Sequence, residues 1–274
     1  MPKTILITGA SSGIGKATAR HFAEKGWNVA ATMRKPENET ELIQLPNVKC
    51  FRLDVLDEAS IRQAIGEATG HFGGIDALLN NAGYAAVGAF EAAEPAQIQR
   101  QFDTNVFGVM NVTRAILPDF RRRKAGTIIT ITSMGGLITF PIYSLYHATK
   151  WAVEGFMESL HYELRPFNIR VRLIEPGAIK TDFYDRSMDV MTKDGLHDYD
   201  AYVNNAHHNM LDAGANAPGP EVVAKKVMQA ATENGDQLRY SVGGQGPVLL
   251  SLRRMLPLSW FSAMVRSQVE KPRK

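Results

Sequence analysis

The strongest constraint on this chain is an alternation. Short runs of Val, Ile, Leu and Ala recur between segments with helical spacing. "TILIT" (4–8), "WNVAATM" (27–33), "VKCFRLDV" (48–55), "IDALLNNAG" (75–83), "GTIITITS" (126–133), "IRVRLIEPG" (169–177) and "QLRYSVGG" (237–244) read as strands. Between them, "GIGKATARHFAEKG" (13–26), "EASIRQAIGEATGHF" (58–72), "AQIQRQFDTNVFGVMNVTRAIL" (96–117), "YSLYHATKWAVEGFMESLHYEL" (143–164) and "EVVAKKVMQAATE" (221–233) read as helices. Strands of continuous apolar residues belong to a sheet covered on both faces. Helical connections make that sheet parallel, with right-handed crossovers. The expectation is therefore an α/β fold, doubly wound, with a seven-stranded parallel sheet and helices on both faces.

A chain of 274 residues of this type reads as one domain. Residues 183–218, rich in Met, Tyr, His, Asn and Asp, break the rhythm; they are expected to be an irregular lid over a binding site. Residues 245–274 form a C-terminal extension open to three placements: closing the substrate cleft, a subunit contact, or a membrane-surface patch.

Composition excludes some classes. A net charge of +3 gives no reason to invoke nucleic acid. The single cysteine, Cys50, leaves no partner for an intrachain disulfide and no thiolate cluster. His207 and His208 are adjacent rather than one helical turn apart, so no metal site is expected. The segment "GPVLLSLRRMLPLSWFSAMV" is interrupted by Arg253, Arg254 and Pro257, too often for a membrane span, and the chain starts without a signal-peptide pattern. A cytoplasmic protein is the expectation.

Two features carry chemistry. "TGASSGIG" (8–15) joins the first strand to the first helix; glycines at 9, 13 and 15 permit a tight turn and close approach of a ligand to the backbone. The helix N-terminus then offers free N–H groups and a positive dipole end to a pyrophosphate. In "YHATK" (146–150), Tyr146 and Lys150 share one helix face, one turn apart. A free phenol titrates near 10, poorly matched to proton transfer at neutral pH. An ammonium at ~4 Å, with an effective dielectric of ~20, attracts a phenolate by about 4 kcal/mol, enough to lower its pKa by up to roughly three units. The pair has the makings of a tuned acid/base.

"TGASSGIG", "NNAG" (80–83), "TNVFG" (104–108), Ser133 at the end of strand five, and "YHATK" occur in one order and spacing. Together they resemble the short-chain dehydrogenase/reductase superfamily in its single-domain Rossmann form, over about residues 3 to 182. The tail and "VAATMRKPE" are similar to the carbonyl reductase, 17-beta-hydroxysteroid and retinol dehydrogenase-like branch. The resemblance implies a dehydrogenase/reductase that interconverts a ketone or aldehyde and an alcohol by hydride transfer. Tyr146 would be the proton donor. Lys150 would lower its pKa and hold the nicotinamide ribose, Ser133 would polarise the substrate oxygen, and Asn105 would anchor a water linking Lys150 to solvent.

The resemblance also assigns a cofactor site. Gly9, Ser11, Ser12, Gly13, Ile14 and Gly15 would cradle the pyrophosphate. Asp54 and Val55 would meet the adenine, and Asn81, Ala82 and Gly83 the adenosine ribose. Pro176, Gly177, Ile179 and Thr181 would lie near the carboxamide. After strand two the chain shows Arg34 and Lys35, with no acid until Glu37. A carboxylate there would bind a ribose 2′-OH and repel a phosphate, whereas an arginine fork suits a 2′-phosphate. NADP(H) is therefore preferred, with Ser12 as a second phosphate donor.

The substrate pocket is expected to draw on Met134, Gly135, Phe140, Tyr143, Phe183 and Tyr184, an apolar and aromatic set suited to a hydrophobic carbonyl compound. His147 follows Tyr146 and should point away from it. By resemblance the long helices make a homodimer or homotetramer. Two alternatives remain: an NADP-binding redox sensor that turns nothing over, and a different enzyme, such as an epimerase or dehydratase, on the same scaffold.

Overall fold

A computed structural model of the chain describes residues 2–181, 183 and 187–269. Its strands are β1 (Thr4–Thr8), β2 (Asn28–Met33), β3 (Val48–Arg52), β4 (Ala77–Asn80), β5 (Ala85–Val87), β6 (Gly126–Ile131), β7 (Ile169–Pro176), β8 (Met188–Val190) and β9 (Arg239–Val242). Seven of them form one sheet in the order β3-β2-β1-β4-β6-β7-β9, with every pairing parallel. All seven strands anticipated from apolar runs are present. The remaining two, β5 and β8, pair with each other in a small parallel ribbon.

Its helices are α1 (Gly13–Glu24), α2 (Glu58–Phe72), α3 (Pro95–Phe102), α4 (Gly108–Arg123), α5 (Ser144–Leu164), α6 (Asp200–Ala215), α7 (Glu221–Thr232), α8 (Gly246–Met255) and α9 (Leu258–Val269). Alternate side chains of the central strands feed two cores. Ile5, Ile7 and Ile129 pack with Phe22 of α1 and Val223 and Val227 of α7. On the other face, Leu6, Leu78 and Ile128 pack with Ile61 of α2, Ile116 and Phe120 of α4, and Met157 and Leu160 of α5. With both faces covered, the strands have no use for alternating polar residues. The chain runs outward from β1 to β3, then returns to β4 on the other side of β1. At such a reversal the connecting loops part and leave a crevice beyond the carboxyl ends of the strands.

Two expectations differ from what is found. The single helix foreseen over 96–117 is α3, a π-helical turn at Asp103–Phe107, and α4. The side chain of Asn105 explains the break. It accepts from the Tyr84 N–H (3.1 Å) and donates to the Tyr84 carbonyl (2.8 Å) and to Thr149 Oγ1 (3.2 Å). Such turns are frequent at functional sites. The segment 183–218, expected to be irregular, contains β8 and the sixteen-residue α6. Its helix-forming Ala, Leu and Met lie among Asn, His and Asp, so the apolar periodicity of α6 is weak.

Phe120 is fully buried in the second core. Phe120→Ala should lower the free energy of unfolding by about 3–5 kcal/mol. Urea denaturation should show a lower midpoint with an unchanged m-value.

Candidate active site

The carboxyl ends of β1, β4, β6 and β7 open into one continuous cleft of about 1170 Å3. The glycine turn after β1 forms one end. Gly9 and Gly13 have φ of +67° and +53°, a region that other residues enter at a cost. A Cβ on Gly15 would stand 2.3 Å from the Gly9 carbonyl and 2.5 Å from Asn81 Nδ2. Asn81 braces the turn, donating to the Thr8 and Gly9 carbonyls at 2.9 and 3.0 Å. Ser12, the residue preceding α1, makes no side-chain hydrogen bond to that helix's first turn, and the turn holds no acid. By contrast Asp57 caps α2, accepting from Ala59 and Ser60. The N-terminus of α1 thus faces the cleft with its amides uncapped by a side chain, which suits an anion.

Arg34 is exposed and, like Ser12, lines the cleft. Of the acids that follow it, Glu37 is exposed on a short 3-10 turn, while Glu39 pairs with Lys16 at 3.2 Å and Glu41 pairs with Lys16 and Arg20. Of the residues assigned to the cofactor, Ser11, Ser12, Ile14, Arg34, Asp54, Val55, Asn81, Ala82, Gly83, Pro176, Gly177, Ile179 and Thr181 all line this cleft, with Gly9 and Gly13. Lys35 stands outside the lining, exposed where a short 3-10 turn begins. Gly15 supports the turn from behind.

The chemical centre lies where α5 crosses the end of β6. Tyr146, Lys150 and Ser133 all line the cleft. Lys150 Nζ sits 5.6 Å from the Tyr146 ring centroid and donates to the Ile131 carbonyl at 3.0 Å. Loss of water around the ammonium pulls its pKa down to about 8, opposed by the charge of Glu154 one turn further on. At neutral pH the group keeps its proton, which puts a cation beside the phenol. Ser133 Oγ accepts from the Gly135 N–H (3.0 Å), which leaves its own O–H to donate into the cleft. Asn105 is buried beside these groups, outside the lining, and braces the Tyr84 loop against α5.

Met134, Gly135, Phe140, Tyr143 and Phe183 line the cleft as expected, joined by Met188 and Met210. Tyr184, assigned to the same pocket, lies outside the described residues. Val248, Leu249 and Leu252 of α8 and Met264 and Val265 of α9 complete the wall, so the C-terminal extension borders the cleft. Ion pairing of Arg100 with Asp189, and a 3.0 Å bond from Gln97 Nε2 to Asp189, tie β8 to α3 at its rim.

His147 is the residue that reasoning from sequence passed over. Its ring is buried, with Nδ1 2.9 Å from the Gly135 carbonyl and Nε2 accepting from the Phe140 N–H at 3.0 Å. Those two bonds fix one neutral tautomer and clip both ends of the loop that carries the pocket wall. The same loop holds Ile142 at φ +61°, a position that a β-branched residue rarely adopts. The expectation that it points away from Tyr146 is not met: the two ring centroids stand 5.8 Å apart and His147 also lines the cleft, because the loop it bonds folds back over this end of α5.

The sequence profile described as short chain dehydrogenase matches residues 3–190. The chain belongs to that family. It is 42% identical to a 3-ketodihydrosphingosine reductase of Bacteroides thetaiotaomicron, over 67% of this chain and 66% of the relative. It is 32% identical to retinol dehydrogenase 8 of Bos taurus, over 93% of this chain and 86% of the relative. Among solved structures, a short-chain dehydrogenase from Streptomyces avermitilis superposes with a TM-score of 0.83 at 32% identity, covering 97% of this chain and 98% of that one. The protein is thus an oxidoreductase of this family, related to the retinol dehydrogenases.

Burial is the main influence on His147, pushing its pKa down to about 4 from 6.5. The folded value lies below the unfolded one, so the unfolded chain takes up the proton first as pH falls. This one group should therefore cost the native state up to about 3 kcal/mol between pH 6.5 and 4. His147→Phe, which cannot charge, should lose less stability across that window in urea titrations. Parallel losses in the two proteins would contradict a buried neutral imidazole.

Proposed function

We propose that the protein interconverts an apolar ketone or aldehyde and the corresponding alcohol with NADP(H), using Tyr146 as acid/base. The observation that carries this reading is the Lys150 ammonium held beside the Tyr146 ring at the floor of a cleft that begins at an uncapped helix N-terminus. A nicotinamide bound there would supply or accept the hydride. The glycine turn and the first amides of α1 suit its pyrophosphate, and Arg34 with Ser12 suits a 2′-phosphate. Asp54 would receive the adenine, and Asn81, Ala82 and Gly83 the ribose beside it.

In the reducing direction the Ser133 hydroxyl donates to the substrate oxygen and holds it beside Tyr146. The Tyr146 O–H passes its proton to the alkoxide that forms. Lys150 stabilises the phenolate left behind, and Asn105 braces the loop and helix that frame this corner. In the oxidising direction the phenolate accepts the alcohol's proton. Met134, Phe140, Tyr143, Phe183, Leu249, Leu252 and Met264 offer a long apolar wall. That wall and the likeness to a 3-ketodihydrosphingosine reductase and a retinol dehydrogenase favour a substrate with an extended hydrocarbon portion. An intact Ser133, Tyr146 and Lys150 set argues against a pure redox sensor, which has no need of a tuned acid. Exposed Phe107, Trp151 and Tyr162, on α5 and just before α4, fit subunit contacts in a homo-oligomer.

Tyr146→Phe should reduce NADPH-dependent turnover of a long-chain ketone by about 100-fold or more while NADPH still binds. Near-normal turnover would remove Tyr146 from its role. Arg34→Ala should weaken NADPH at least about tenfold more than NADH in fluorescence titrations, as loss of a charge-assisted phosphate contact requires. Equal losses would refute the phosphate contact.

A further inference from the structure

Behind Lys150, away from the cleft, lies a cluster of charge that the proposed chemistry does not use. Glu154, one turn beyond Lys150 on α5, is 3% exposed, and Glu175, at the end of β7, is 1% exposed. Arg239 on β9 serves both. Its Nε is 3.1 Å from Glu154 Oε2 and 3.2 Å from Glu175 Oε1, while its Nη2 is 2.7 Å from Glu158 Oε2. Ser241 Oγ donates to Glu175 Oε2 at 2.7 Å. Glu154 Oε1 has no hydrogen-bond partner among the described residues that meets ordinary geometry.

Buried carboxylates are costly unless paired, and here two share one guanidinium with each other and with the half-exposed Glu158. The next cation along the helix is Lys150. Residues four apart have Cβ atoms about 6 Å from one another. A Cβ on Gly136 would stand 2.7 Å from Glu154 Cγ and 3.2 Å from the Lys150 carbonyl, so the loop after Ser133 lies directly on this turn of α5 and covers it.

We propose that Glu154 is a positioning residue whose buried carboxylate keeps Lys150 charged and thereby sets the pH at which Tyr146 gives up its proton. This rests on the acid/base role given above to the Tyr146 and Lys150 pair. The groups that face Glu154 are Lys150 and Glu158 from α5, Arg239 from β9 and Glu175 from β7, with Arg254 of α8 acting on Glu175. Burial, then the neighbouring Glu175, pushes the Glu154 carboxyl up to about 7, against the pull of Thr132 and Arg239. Above that pH Glu154 is ionised, and it opposes the loss of water that pulls Lys150 down to about 8. Two groups this close lose their protons as a pair. A carboxylate behind the ammonium keeps the proton on Lys150, so the phenol is the group of the pair that ionises first.

The test reads the phenol without requiring turnover. The absorbance of ionised tyrosine near 295 nm is titrated in the wild type and in Glu154→Gln. In each background the signal of the matching Tyr146→Phe protein is subtracted. Glu154→Gln should let Lys150 shed its proton earlier and so move the ionisation of the phenol up by about one pH unit. Glu154→Asp, which keeps the charge, should restore it to within about a third of that shift. Should Glu154→Gln fail to fold, Glu154→Met carries the same expectation, because apolar replacement of a buried charge is often tolerated. The pH limb of ketone reduction should move with the phenol. An unchanged titration in a folded Gln or Met variant overturns the proposal. A shifted titration in a protein that reduces no carbonyl compound upholds it and sinks the proposed activity instead.

Discussion

An ammonium held short of water, beside a phenol, is the interaction on which the rest of this structure turns. Lys150 gives up hydration on entering the floor of the cleft and regains one backbone carbonyl, that of Ile131. A lysine in such a place has a standing tendency to shed its proton. It remains useful as a cation only if the surrounding fold supplies compensating negative potential. The Ile131 carbonyl at the sheet end and the charge of Glu154 both bear on that one group.

Helix α5 is therefore more than a support for two side chains. Through Lys150 it grips β6, through Thr149 it meets Asn105 in the π-helical turn, and through His147 it clips the loop that lines the pocket. The strained Ile142 stands two residues before its first turn. Strain of about 1–3 kcal/mol at such a residue persists only where neighbours over-determine the backbone. The two hydrogen bonds of His147, together with the bond from the Gly88 N–H to the Ile142 carbonyl at 2.9 Å, supply that restraint. The loop, the Tyr146 and Lys150 pair and the floor of the cleft are thus positioned by one element.

Much of the architecture was legible because burial on both faces writes a plain signature. "TILIT" and "GTIITITS" admit no polar alternation, and the structure places both strands inside the sheet. The glycine turn was readable for a steric reason, since Gly15 leaves no room for a Cβ. The corners of the site were less accessible. Asn105 interrupts a helix through bonds to residue 84, a long-range contact that no local propensity encodes. Helix α6 was missed because its polar residues blur the apolar period. His147 looked inert because its partners depend on how a loop folds back. The Glu154, Glu175 and Arg239 cluster joins three elements whose sequences each look like ordinary helix or strand.

The most direct check is the charge of Lys150 itself. Nitrogen-15 NMR of lysine-labelled protein, with the Lys150 resonance assigned by its absence in Lys150→Arg, follows the ammonium from pH 5 to 11. The account predicts one lysine that is still charged at pH 7 and titrates near 8, apart from the surface lysines. A Lys150 signal that titrates at the ordinary lysine value of about 10.4, or one already neutral at pH 7, would contradict it.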